Sequence, residues 1–222
     1  MKASLDTNVI IHLYSTNNQE LLFKMFDEEI YIDGFIYDVE LQNHGQDILS
    51  ALMDDIAKEK IKIVREEDLK SIGIWHLYRE NFEEEKTFYS PSDMGEAHVI
   101  ALARTLGAVS VVTDDTKDYG PHYYLMRIEG SLNIPFAFYE ILILLYLKGD
   151  YSAKQVINIF NSVIKTYPEG EMAYELKPKI NQFVRRFAEG RYSIRDKKWF
   201  EAICKDRNIR YRAKLKELVN LL

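Results

Sequence analysis

Short β-branched and aliphatic runs alternate with helix-length stretches through the first 147 residues, and this alternation limits the fold more than any other feature of the chain. The clearest unit runs from Ala97 to Val112. Ala97, Ile100, Ala101 and Leu106 give a helix an apolar side, with Ser92 or Asp93 able to cap it behind Pro91. Gly107 stops that helix, and Val109–Val112 follows as a strand of the kind buried on both faces. Earlier runs repeat the pattern. Lys2–Leu5, Ile30–Ile32 and Ile61–Val64 read as strands, while Asn8–Tyr14, Glu20–Phe26, the stretch through Glu40 and Leu49–Glu59 read as helices. Leu125–Ile128 is expected as a last strand before a core helix over Ile134–Leu147. Strand and helix in alternation call for an α/β fold, a parallel sheet sandwiched by helices.

Composition sets the limits. Hydrophobic residues make up 47% of the 222 and charged residues 29%, enough apolar mass for a packed core and too much for a disordered chain. The single cysteine, Cys204, excludes a disulfide framework and any cysteine-based zinc site. Lys2 leads straight into a strand-like run, so no secretory signal is expected and a reducing cytoplasm is the expected compartment. The most apolar segment, Ile134–Leu147, is too short for a bilayer and carries Glu140 in its middle, so no membrane partner is expected.

Charge is distributed unevenly. Residues 1–149 carry 13 Lys and Arg against 26 Asp and Glu, a net −13; residues 150–222 carry 16 against 9, a net +7. The composition changes near Gly149, which places an expected boundary between a first domain (1–149) and a basic helical region (150–222). In that region Ser152 caps a helix bearing Val156, Phe160 and Val163, Tyr167-Pro168-Glu169-Gly170 breaks it, and Pro178 opens another that ends at Gly190. Helices near 197–205 and 211–222 follow. An acidic front and a basic end point to nucleic-acid contact by the end or to docking of one half on the other. Arg185, Arg186, Arg191, Arg195, Lys197, Lys198, Arg207, Arg210 and Arg212, interleaved with Tyr192, Trp199 and Tyr211, are the candidates to hold phosphates and stack bases. The competing reading makes those aromatics core residues of the helices.

In parallel α/β sheets, binding groups gather where strands leave the sheet at their carboxyl ends. Those positions here return acids. Asp6 ends the first strand, Glu40 follows the second by two helical turns, Glu96 lies in the first turn of the helix before Gly107, and Asp114 and Asp115 follow Val112-Thr113. Any one of them alone could merely serve a helix dipole, an effect of about 0.3–1 kcal/mol. Four converging carboxylates would repel one another and raise their own pKa values unless a divalent cation offset the charge. With all-oxygen ligands and no Cys/His pair, Mg²⁺ or Mn²⁺ suits such a set better than zinc. The acidic run Glu83-Glu84-Glu85 is expected to be exposed, and His98 is expected to be structural.

The sequence resembles the PIN-domain nuclease family. The resemblance rests on Leu5-Asp6-Thr7-Asn8-Val9-Ile10, on Glu40 in Asp38-Val39-Glu40-Leu41, on Gly95-Glu96-Ala97-His98 through Ala103, and on Val111-Val112-Thr113-Asp114-Asp115, in that order, and covers roughly residues 1–147. It implies an acidic pocket holding one or two Mg²⁺ or Mn²⁺ ions and hydrolysis of RNA phosphodiester bonds. Carried over by position, Asp6, Glu40, Glu96 and Asp115 match the four acids, Asp114 and Asp118 compete for the fourth place, and Asn8 and Thr113 match the accompanying polar residues. The third acid is Glu where many members have Asp, and the chain is longer than the compact toxin-type members. The expected partners are an RNA substrate, a regulatory or antitoxin-like protein, and a second copy of the chain. The competing expectation is a catalytically inactive PIN-like scaffold that binds RNA or protein.

Overall fold

The computed structural model describes residues 1–89, 94–117, 120–128, 131–167 and 175–222, which form two compact units, Met1–Ala137 and Phe138–Leu222. The expected cap at Ser92 or Asp93 and the break at Pro168–Gly170 lie outside the described residues. No helix among those described is long and apolar enough to cross a membrane.

The first unit is an α/β fold on a five-stranded, all-parallel sheet of order β3-β2-β1-β4-β5. Its strands are β1 (Ala3–Leu5), β2 (Ile30–Asp33), β3 (Lys62–Val64), β4 (Ser110–Val112) and β5 (Ile134–Phe136). Helices α1 (Thr7–Ser15) and α2 (Glu20–Met25) link β1 to β2. A π-helical turn, Ile36–Glu40, then runs directly into α3 (Leu41–His44), and α4 (Leu49–Ala57) returns the chain to β3. Helices α5 (Glu66–Ser71), α6 (Trp75–Glu85) and α7 (Met94–Leu106) lead to β4, and α8 (Pro121–Arg127) to β5. Every residue of β1 and β4 is buried, as strands in the middle of a parallel sheet must be. In register, Ala3 faces Ile30 on one side and Ser110 on the other. Chain order turns back on itself between β1 and β4, which opens a crevice at their carboxyl ends.

Two sequence expectations change here. Leu125 belongs to α8, not to a strand: Pro121, set at the first helical position, pre-forms that turn. The last strand is Ile134–Phe136, which the apolar run hid inside the expected core helix; that helix begins only at Phe138. Pro135 cannot donate to a ladder, and β5 tolerates it because it is an edge strand. The run at Glu83 is also not all exposed. Glu85 is only 4% exposed and accepts a hydrogen bond from Arg104 at 2.6 Å.

In the second unit the described residues form helices α9 (Phe138–Lys148), α10 (Ala153–Ile164), α11 (Leu176–Phe183), α12 (Ile194–Asp206) and α13 (Tyr211–Asn220). The unit begins at Phe138, ahead of the boundary expected at Gly149, because α9 is buried from Phe138 to Leu147 and packs on α10, α11 and α13. The composition change marks where surface charge begins, whereas packing changes earlier. Ser152 caps α10 as expected: its hydroxyl accepts from Gln155 N–H at 3.4 Å while Gln155 Oε1 accepts from Ser152 N–H at 2.9 Å.

A π-helical turn, Val184–Ala188, follows α11 and turns Arg186 inward. The Arg186 guanidinium, 2% exposed, reaches both Glu140 oxygens at 2.8 and 2.9 Å and Asp196 Oδ2 at 2.6 Å. Arg186 is therefore a core cation and not a phosphate ligand, which corrects its sequence assignment. Removing it would take this guanidinium from the buried Glu140 and leave Asp196 with Arg195 as its ion-pair partner. Arg186→Leu is expected to lose about 3–5 kcal/mol of stability, read by chemical denaturation of the full chain.

Candidate functional site

The sequence puts Asp6 at the first turn beyond β1, where it serves as the N-cap of α1. Its Oδ1 accepts the Thr7 N–H at 2.8 Å. Its Oδ2 accepts the Thr113 hydroxyl at 2.8 Å, from just past β4 across the crevice. Each threonine also reaches a further acid. The Thr7 hydroxyl donates to Glu40 Oε2, and Thr113 Oγ1 accepts the Asp115 N–H at 3.2 Å. Glu40, Thr7, Asp6, Thr113 and Asp115 thus form one connected chain spanning the π-helical turn, β1 and β4.

Two glycines admit the outer acids. A Cβ on Gly95 would come within 2.8 Å of the Glu40 carboxyl carbon, and one on Gly120 within 2.7 Å of Asp115 Oδ1. Gly95 immediately precedes Glu96 in the first turn of α7, so the third expected acid lies on the turn that abuts Glu40. The Tyr89 hydroxyl is buried with no hydrogen-bond partner among the described residues. Burial raises its pKa, reinforced by the charges of Glu85, Tyr124, Glu96 and Asp6, so one phenol senses both Glu96 and Asp6.

Asp6 is 5% exposed, and its carboxyl is pushed up to about 7. Burial is the main cause, Glu40 and Asp115 add repulsion, and the hydrogen bonds from Thr113 and Thr7 act in the opposite sense. Because the folded pKa lies above the ordinary carboxyl value, stability associated with this group is full at low pH and is lost as pH rises toward about 7. Asparagine keeps the shape without the charge. In EDTA, Asp6→Asn is expected to exceed the parent chain in stability by about 2–4 kcal/mol at pH 8, with the gap closing toward pH 4, measured by thermal or urea unfolding.

The remaining expected residues fall in different places. Asp114 meets His12, with Oδ2 at 2.9 Å from Nδ1, while Asp6 feels the charge of Asp115. Asn8 is exposed on α1, and the hydroxyl serving Glu40 comes from Thr7 instead. Asp118 lies outside the described residues. Among the described residues, no group of three or more His, Cys, Asp or Glu is placed to hold a metal ion. The donor chemistry is nonetheless that of a hard cation: carboxylates and hydroxyls only, in a spot where charge repulsion already disfavours ionising Asp6. Asp6, Glu40 and Asp115, with Glu96 on the adjoining turn, are the residues that could hold a hard cation if one bound here. Gly95→Ala tests the fit. It should cost no stability, since alanine favours helix by up to about 1 kcal/mol, yet it should weaken Mn²⁺ binding about tenfold by displacing Glu40, read by calorimetric titration.

Reasoning from sequence missed Thr7, Gly95, Gly120, and a second cluster around Asp33. Asp33 ends β2, and the strand-end rule that singled out Asp6 singles it out as well. It accepts the Tyr78 hydroxyl at 2.7 Å, and His98 Nδ1 lies 2.6 Å from that same hydroxyl. The His98 ring stacks on Phe35 at 4.4 Å, which pins α7 to the start of the π-helical turn and so places Glu96 relative to Glu40.

In the second unit, Arg185, Arg191, Lys198, Arg207, Arg210 and Arg212 are exposed. Arg195 is half-buried against Asp196, and Lys197 lies 3.7 Å from Glu201. Trp199 packs on Phe187 and Tyr211 on Phe200, so these two aromatics serve the helical core. Compared with known proteins, the chain matches no family model, no curated protein and no solved structure.

Proposed function

We propose that the first unit is a metal-dependent ribonuclease of the PIN-domain type, hydrolysing phosphodiester bonds at the Asp6–Glu40–Asp115 pocket with Glu96 alongside. The observation that carries this reading is the hydrogen-bonded chain through Thr7 and Thr113 that joins the Glu40 and Asp6 carboxylates to the Asp115 backbone across the β1/β4 crevice, drawn from three distant stretches of sequence. A cluster of like charge around one buried carboxyl costs stability, and a divalent cation is the partner that offsets it.

When bound, such a cation supplies Lewis-acid polarisation of the phosphate and a water of lowered pKa. The chain's own residues do the rest. Thr7 and Thr113 fix the rotamers of Asp6 and Glu40, so the carboxylates are oriented before any ligand arrives. Gly95 and Gly120 keep side-chain bulk away from the Glu40 and Asp115 oxygens. The exposed Arg185, Arg191, Lys198, Arg207, Arg210 and Arg212 are the cations that would hold RNA phosphates, since the acid motifs contain none.

The test is cleavage of a single-stranded RNA by the full chain with Mn²⁺, Mg²⁺ or EDTA. Cleavage is expected only with metal and should be abolished in Asp6→Asn. Changing Arg207, Arg210 and Arg212 to Gln should lower RNA affinity and flatten its salt dependence by up to about two in log–log slope. Metal-independent cleavage, or full activity in Asp6→Asn, would remove the nuclease reading. A silent Mn²⁺ titration would instead favour a non-catalytic scaffold.

A further inference from the structure

A cleft of about 270 Å³ opens at the carboxyl ends of β2 and β3. It adjoins the acidic pocket through shared elements. Asp38 lines the cleft from the π-helical turn that bears Glu40, His98 lines it from the helix that bears Glu96, and Asp33 ends the strand beside the one that leads into Asp6.

The floor has spent its hydrogen bonds internally. Asp33 accepts the Phe35 N–H at 2.8 Å and the Tyr78 hydroxyl at 2.7 Å, and that hydroxyl meets His98. The floor is therefore rigid and offers ring surface more than polar contacts. Trp75 stacks on Tyr78 at 5.4 Å and is itself half-buried at the wall, with Phe35 beside His98. Arg65 brings a guanidinium to the cleft, but Asp38 holds it in a two-point pair at 2.8 and 2.9 Å. At the rim Glu66 is exposed but paired with Lys70, and Glu67 adds a second exposed carboxylate.

These features select a ligand. A phosphate would meet carboxylates outnumbering the one guanidinium, which is already neutralised. A flat ring fits the aromatic walls, and an edge rich in hydrogen-bond donors fits the acceptors at the rim. Nucleobases with an exocyclic amine have that edge, whereas uracil presents a carbonyl in the same place. We infer that this cleft is a nucleobase subsite of the RNA substrate, holding a base close to the acidic pocket and favouring an amino-bearing base over uracil. The identity of the substrate as RNA rests on the nuclease reading, but capture of the base requires no metal.

Cytidine and uridine differ at this edge by one amine against one carbonyl, which makes them the probes. In full-length Trp199→Phe, Trp75 is the remaining tryptophan of the two and reports directly. Cytidine should quench its fluorescence saturably, and uridine should bind at least about fivefold more weakly, a difference of about 1 kcal/mol. Glu67→Gln, at an exposed position that leaves the fold intact, should shrink that preference, while Asp6→Asn should leave both titrations unchanged. The absence of saturable quenching, or equal quenching by both nucleosides, would overturn the subsite. The two readings fail separately. Metal-dependent cleavage without a nucleoside response removes only the subsite, and a cytidine response in a chain that never cleaves RNA removes only the nuclease.

Discussion

Placing the Asp6 carboxyl out of water at the end of the central strand is the step on which the geometry of the first unit depends. Burial penalises its charge, and the neighbouring Glu40 and Asp115 penalise it further. Two threonine hydroxyls and one backbone N–H oppose that penalty without cancelling it. A small domain has only about 5–15 kcal/mol of stability in hand, so a cost of this kind is a sizeable share of it. The threonines orient the acids, the glycines leave room for them, and the β1/β4 crevice holds them together. Each feature makes chemical sense only in terms of the carboxylates it serves.

The two π-helical turns among the described residues fall at charged centres. The π-helical turn Ile36–Glu40 brings Glu40 to Thr7 while leaving Asp38 to hold Arg65 on the neighbouring cleft. The π-helical turn Val184–Ala188 turns Arg186 into the core of the second unit, onto Glu140 and Asp196. In both places one extra residue in a turn redirects a charged side chain, a common association of π-bulges with special sites. The two centres differ in sign balance. Arg186 pairs with its acids inside the chain, whereas the pocket at Asp6 gathers acids with no basic side chain bonded to them in the network that links them.

Legibility followed the range of the interactions. Asp6, Glu40, Glu96 and Asp115 could be picked out because each sits at a fixed offset from a strand end or helix start, and local pattern sets those offsets. Thr7 was hidden because its role depends on a partner 33 residues away, and Asn8, next to it and equally polar, looked as suitable. Asp33 was legible by the strand-end rule but was passed over for Glu40. Arg186 lay in a run of basic residues, and nothing in that run distinguishes the one that turns inward. Strand β5 was masked by its own apolarity, since Ile134-Pro135-Phe136 continues into a helix of similar composition.

Periodicity, glycine stops and β-branched runs, all properties of neighbouring residues, determined from the sequence alone that the first unit alternates strand and helix and that acids stand at its strand ends. Tertiary structure decided the order of the strands, which of two adjacent aspartates reaches His12, and which arginine becomes a core ion. Those outcomes depend on contacts between residues tens of positions apart. A one-dimensional pattern carries the period of a helix or strand, but not the distance between two side chains that only the folded chain brings together.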